Sequence, residues 1–200
     1  MSHYFDQEPG AGHRAGTVTV PVDGRDLTLA TDRGVFSADR LDPGTAVLLD
    51  LVPRPPAGGD LLDLGCGYGP IALTMAARAP GATVWAVDVN ERARRLCADN
   101  AAAAGLSNVR VCGPDEVPGQ VRFAAIWSNP PIRIGKDALH DLLRHWLARL
   151  AGDGAAYLVV QKHLGSDSLQ RWLGEAGWPT ERVGSRRAFR VLGARPDPLL

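Results

Sequence analysis

Between Leu61 and Ala176 five short apolar runs alternate with stretches of helical pattern, the rhythm of a parallel sheet covered on both faces. The spacing predicts strands over 61–64, 83–87, 108–112, 122–127 and 155–161, and helices over 70–79, 91–104, 137–150 and 167–176. Upstream, Thr17 to Val22 and Asp26 to Thr31 flank Asp23-Gly24-Arg25, a hairpin signal. A short helix is expected from Pro43 to Leu51, capped by Asp42 and ended by the proline-rich run Pro53 to Gly59. Glu181 to Gly184 and Ala188 to Leu192 read as a terminal antiparallel hairpin.

Two hundred residues, 45% of them hydrophobic, suffice for one domain with a sizeable core. Apolar runs such as Ala155 to Val160 fall far short of a membrane span, and Met1 to Asp6 lacks a basic-then-apolar signal. A cytoplasmic location is therefore expected. Cys66, Cys97 and Cys112 are odd in number and widely spaced, which argues for free thiols and against a disulfide framework or a metal site. The net charge of zero lacks the basic excess of a general nucleic-acid binder. Its placement is uneven, however: residues 1–132 carry 11 basic and 15 acidic side chains, and residues 133–200 carry 11 and 7. The C-terminal part is the better candidate to face phosphates.

Two motifs stand at the carboxyl ends of predicted strands, where open α/β sheets bind ligands. In Asp63-Leu64-Gly65-Cys66-Gly67-Tyr68-Gly69 the glycines let the backbone pass close to a ligand. A GxGxG loop serves dinucleotides and S-adenosylmethionine alike, so its flanks decide. Asp63 suits the amine of an amino-acid moiety better than a pyrophosphate, and Asp88 stands where a carboxylate accepts from two ribose hydroxyls. Asp88 as a helix cap is the structural alternative. Asp115, after the third strand, is a candidate acceptor for an adenine amino group, or a solvated turn residue.

The second motif is Ser128-Asn129-Pro130-Pro131-Ile132. The lone pair of a planar amine is delocalised into its π system, which makes the nitrogen a poor nucleophile. An amide oxygen and a rigidly held backbone carbonyl can accept both N–H groups and aim the nitrogen at a methyl donor. Asn129 Oδ1 and the Pro130 carbonyl are the expected pair, with Pro131 supplying further rigidity. An Asn turn after a proline-terminated strand is the structural alternative.

With both motifs in place the chain resembles the class I S-adenosylmethionine-dependent methyltransferases. Within them it is similar to the methyltransferase small domain group typified by ribosomal RNA small subunit methyltransferase C, a guanine-N2 enzyme. The resemblance rests on Thr31 to Ser37, Asp42 to Thr45, Asp63 to Ile71, Val87 to Ala93 and Asn129 to Lys136. It implies a Rossmann-like, seven-stranded, mostly parallel sheet with one antiparallel strand and helices on both faces. Residues 1–58 then form an N-terminal hairpin and lid/helix extension, and 59–200 the methyltransferase domain. It further implies S-adenosylmethionine at Asp63, Gly65, Gly67 and Asp88, to which Cys66 and Asp115 are added as candidates, with Gly34 to Ser37, Phe36 among them, and Thr45 folding over its methionine end.

Catalysis is expected of Asn129, Pro130 and Pro131, and substrate contact of Ile132, Arg133, Lys136 and Lys162. The best-known guanine-N2 member carries a second, degenerate domain, whereas this chain resembles the short single-domain version, and the family often has an aromatic residue where Ile132 stands. Arg186, Arg187, Arg190 and His163 are further candidates for an electropositive rim. The expected function is methylation of a guanine N2 in 16S ribosomal RNA, with ribosomal RNA or the small subunit as partner and no metal. Adenine N6, a protein glutamine, or a non-catalytic RNA-binding role remain open, and a nicotinamide oxidoreductase is the distant alternative. Trp85, Trp127, Trp146, Trp172 and Trp178 are read as packing residues.

Overall fold

A computed structural model describes residues 15–32 and 40–198. The expected lid segment Gly34 to Ser37, with Phe36, lies outside the described residues.

The chain opens with the antiparallel strands β1 (Ala15–Val22) and β2 (Arg25–Asp32). Asp23 and Gly24 both take positive φ, the two-residue turn whose twist matches that of a hairpin. Helix α1 (Pro43–Leu51) follows, then β3 (Gly58–Leu64), α2 (Pro70–Arg78), β4 (Gly81–Val87), α3 (Glu91–Ala103), β5 (Val109–Cys112) and β6 (Phe123–Ser128). Helix α4 (Lys136–Leu147), β7 (Leu150–Gln161), α5 (Ser166–Glu175), β8 (Thr180–Arg186) and β9 (Phe189–Ala194) complete it. The main sheet runs β5-β4-β3-β6-β7-β9-β8, with β9 antiparallel to both of its neighbours and every other pairing parallel.

Strand alternation assigns the two faces. Leu61, Ala125, Trp127, Tyr157, Val159 and Val191 join a core with α1, α2, α3 and the hairpin. Their neighbours Leu62, Ile126, Leu158, Val160 and Leu192 face α4 and α5. Trp127 and Trp146 are fully buried and Trp85 and Trp178 nearly so, as packing residues should be.

The hairpin is fastened by a residue whose role the sequence hides. Asn100, buried on α3, accepts from the Ala30 amide at 2.8 Å and donates to the Ala30 carbonyl at 2.9 Å, copying a strand partner at the edge of β2. Its amide also donates to the Tyr68 carbonyl at 2.9 Å, which ties the hairpin to the glycine loop. Asn100→Ala removes three hydrogen bonds to backbone groups, of which the Tyr68 carbonyl is buried, and is expected to cost about 2 kcal/mol in urea unfolding.

Candidate functional site

Two loops at the carboxyl end of the sheet lie side by side because β3 and β6 are adjacent and in register, with Leu64 opposite Ser128. The Ser128 hydroxyl donates to the Leu64 carbonyl at 2.7 Å and locks the two strand ends together.

The first loop is closed inward. The Gly65 and Cys66 amides donate to the Val87 carbonyl, the Gly69 amide to the Cys66 carbonyl, and the Gly67 amide to Asp88 Oδ2 at 2.9 Å. Asp63, fully buried, accepts the Ala72 amide at 2.8 Å and so caps α2 from the neighbouring strand, the N-cap Gly69 having no side chain to do so. An anion at this helix N-terminus would meet a carboxyl and few free amides, which speaks against a pyrophosphate. Gly69 is required twice over: its φ is +98°, and a Cβ there would lie 2.7 Å from Leu73 and 2.8 Å from the Cys97 sulfur.

The loop suits a cationic amino-acid ligand instead. Asp63 Oδ1 and the Tyr68 hydroxyl are buried with no hydrogen-bond partner among the described residues. Burial pushes the Asp63 carboxyl up to about 8 against the Ala72 hydrogen bond, and the charge of Asp88 adds to the rise. Burial likewise raises the Tyr68 phenol to about 12, with Asp42 contributing. Asp88 directly follows β4 and its carboxyl is raised by burial, opposed by the amides of Asn90 and Gly67. The cap of α3 is Asn90, which accepts from Arg92 and Ala93, so Asp88 keeps acceptor capacity for a ligand.

Cys66 has its backbone amide and carbonyl spent within the protein, its buried thiol donates to the Gly67 carbonyl at 3.6 Å, and the neighbouring Cys97 thiol together with burial raises its pKa well above the ordinary value. Asp115 is exposed in a short 3-10 turn after β5.

In the second loop Asn129 Nδ2 donates to Asp42 Oδ1 at 2.7 Å and to Thr45 Oγ1 at 3.1 Å. Its Oδ1 accepts no hydrogen bond from the described residues, and the side chain is half-buried. Pro131 has φ −74° and ψ 75°, an inverse γ-turn in which the Ile132 amide donates to the Pro130 carbonyl at 2.8 Å. That bond holds the carbonyl in place together with the proline ring, and leaves it one lone pair. Thr45, expected to lie against the donor's methionine end, is buried and engaged with Asn129.

Ile132 and Lys136 line a hollow of ≈ 180 Å³ with Leu139, Val160 and Leu164, and Arg133 and Lys162 are exposed. Two members of the expected basic rim are otherwise committed. Arg190 is buried and paired with Asp167, and Arg186 is paired with Asp50. His140 stacks on Trp172 with ring centroids 3.7 Å apart. No group of potential metal ligands occurs among the described residues. No helix among them is long and apolar enough to cross a membrane.

This sheet order, with a capped glycine loop on β3 and a carboxylate directly after β4, defines an S-adenosylmethionine-dependent methyltransferase. The chain belongs to the methyltransferase small domain family, whose profile matches residues 26–192. It is 33% identical over 196 residues to the Uncharacterized protein YbxB of Bacillus subtilis (strain 168), covering 96% of this chain and 98% of that one. It is 34% identical over 194 residues to Ribosomal RNA small subunit methyltransferase C of Pseudomonas aeruginosa (strain LESB58), covering 94% of this chain and 57% of the relative. Among solved structures it is similar to the T. Thermophilus 16S rRNA N2 G1207 methyltransferase (RsmC) in complex with AdoMet and guanosine. That likeness has a TM-score of 0.80 and 25% identity, and covers 94% of this chain and 52% of the other. The chain thus spans nearly all of the first relative and about half of the ribosomal RNA methyltransferases.

Proposed function

We propose that this protein methylates the exocyclic N2 of a guanine in 16S ribosomal RNA. The observation that carries the reading is the Asn129 amide, whose nitrogen is committed to Asp42 and Thr45 and whose oxygen takes no partner from the described residues. With the Pro130 carbonyl it offers two acceptors for the two hydrogens of a planar amine, one strand away from the donor loop. Guanine is favoured among such amines because the similar solved structure is a complex with guanosine, and because the Pseudomonas relative is a ribosomal RNA methyltransferase.

Asp63 would take the donor's ammonium group, Asp88 its ribose and Asp115 its adenine, with Gly65 and Gly67 passing close beneath and Phe36 and Thr45 at the methionine end. S-adenosylmethionine supplies an electrophilic methyl carbon on a sulfonium. Asn129 and Pro130 hold the amine so that its lone pair faces that carbon. The N–C bond forms as the C–S bond breaks, and the proton then leaves to solvent, so no general base is needed. Ile132 gives the base an apolar wall, and Arg133, Lys136 and Lys162 meet RNA phosphates.

The test is incubation of the protein with labelled S-adenosylmethionine and small ribosomal subunits from a strain lacking it, followed by nucleoside mass analysis. N2-methylguanosine is the expected product. N6-methyladenosine, or label in protein alone, would replace guanine as the acceptor, and donor binding with no transfer to any fraction would leave a non-catalytic role.

A further inference from the structure

Asp42 makes two hydrogen bonds with a single oxygen. Its Oδ1 accepts the Thr45 backbone amide at 2.8 Å and Asn129 Nδ2 at 2.7 Å. The first bond is the N-cap of α1, the second joins residues 87 positions apart. Together they settle which way the Asn129 amide points. A backbone N–H can only donate, so the oxygen facing it must be an acceptor, and the Asn129 group meeting that same oxygen must be its NH₂. A carboxamide turned the other way would set two oxygens against each other. Thr45 Oγ1, 3.1 Å from the same nitrogen, gives the NH₂ its second partner.

We propose that Asp42 is a positioning residue for methyl transfer: anchored by the Thr45 amide, it fixes the Asn129 side chain with Oδ1 towards the acceptor. This rests on the reading of Asn129 as the group that holds a planar amine. With the oxygen fixed outward, the site receives an acceptor that brings an N–H donor and repels one that presents a carbonyl at the same point. The device explains why α1 begins with a residue able to span from cap to acceptor loop. Asp42 acts through Asn129, so its contribution appears in kcat rather than in donor affinity.

Serine and asparagine both cap helices well, so they separate the two duties. Asp42→Ser keeps the cap and is too short to hold Asn129. Asp42→Asn keeps an oxygen that the Thr45 amide orients as before. Asp42→Ser is expected to lower kcat at least about tenfold with KM for the donor unchanged, and Asp42→Asn to restore most of the rate. The sign reverses in an Asn129→Asp background, where two carboxylates face each other; there Asp42→Ser is expected to raise kcat. Equal losses from Asp42→Ser in both backgrounds, or no loss in either, would overturn the positioning role.

A readout free of the acceptor accompanies these rates. In the labelled full chain, the Asn129 side-chain NH₂ protons should exchange slowly in the parent and in Asp42→Asn, and fast in Asp42→Ser. Equal exchange in all three would overturn the inference whatever the acceptor proves to be. Slow exchange in the parent and Asp42→Asn with fast exchange in Asp42→Ser, but no N2-methylguanosine, would uphold the anchoring and overturn only the guanine assignment.

Discussion

Asn129→Ala is expected to lower the rate of methyl transfer by about 10³-fold while donor affinity stays at its parent level. The side chain stands on the β6 loop and makes none of the hydrogen bonds that hold the glycine loop, Asp63 or Asp88, so its removal leaves those proposed donor contacts intact. What is lost is one of two acceptors that hold the amine. The Pro130 carbonyl remains, kept in its turn by the Ile132 amide, and a singly held amine rotates away from the line of attack. Asp42 retains its bond from Thr45, so the cost in stability should be about 1 kcal/mol. Single-turnover rates with labelled donor, set beside a calorimetric donor titration, check both halves. Loss of donor binding would place Asn129 in the donor pocket, and an unchanged rate would remove it from the acceptor site.

The second large effect concerns Asp63. Its carboxyl is raised to about 8 in the folded protein from an unfolded value of 3.8, burial being the chief cause. Below the unfolded value both states hold the proton and the group is neutral in its effect. As pH climbs from about 4 towards 8 the unfolded chain ionises first, so stability falls by about 1.4 kcal/mol per pH unit at most, and levels off above 8. Asp63→Asn keeps an acceptor for the Ala72 amide and has nothing to ionise, so in the donor-free protein it should flatten this slope and raise stability at pH 8.

The same substitution should weaken S-adenosylmethionine by about 2–5 kcal/mol, because an amide cannot pair with an ammonium. In the parent, the ammonium draws the Asp63 carboxyl into its charged form, so binding at pH 7 releases a proton and affinity rises with pH up to about 8. Titration in buffers of different ionisation enthalpy reads that proton. A binding enthalpy independent of buffer, or Asp63→Asn binding as tightly as the parent, would show that the ammonium sits elsewhere.

The alternating strands and helices were legible because each buried face is written in local periodicity. Where the reading stopped, the cause was tertiary. Strand β7 begins at Leu150, five residues before the expected start, since Gly152-Asp153-Gly154 has the composition of a turn. Gly154 is there because the Phe123 carbonyl passes so close that a Cβ would lie 2.6 Å from it. Arg190 looked like a hairpin cation; the antiparallel pairing of β9 with β7 turns it inward to meet Asp167. Asn100 reads as an ordinary helix residue until the hairpin edge is laid against it. Asp42 was recognisable as a cap, but its second bond, to Asn129, needs the sheet order to bring β6 beside α1. The glycine loop and the Asn-Pro-Pro loop were visible as motifs; the inward turn of the loop amides, which separates an amino-acid ligand from a pyrophosphate, was not.

The seam between β3 and β6 has a consequence for how such a chain can diversify. Asp63, Gly65, Gly67 and Asp88, proposed to grip the donor, lie on one bank of that seam, and the segment that meets the acceptor begins on the other, at the residue after Ser128. Backbone hydrogen bonds, indifferent to side-chain identity, carry most of the alignment across, and the Ser128 hydroxyl closes its end. A lineage can therefore rewrite the handful of positions that follow β6 and acquire a new client without renegotiating its source of methyl groups.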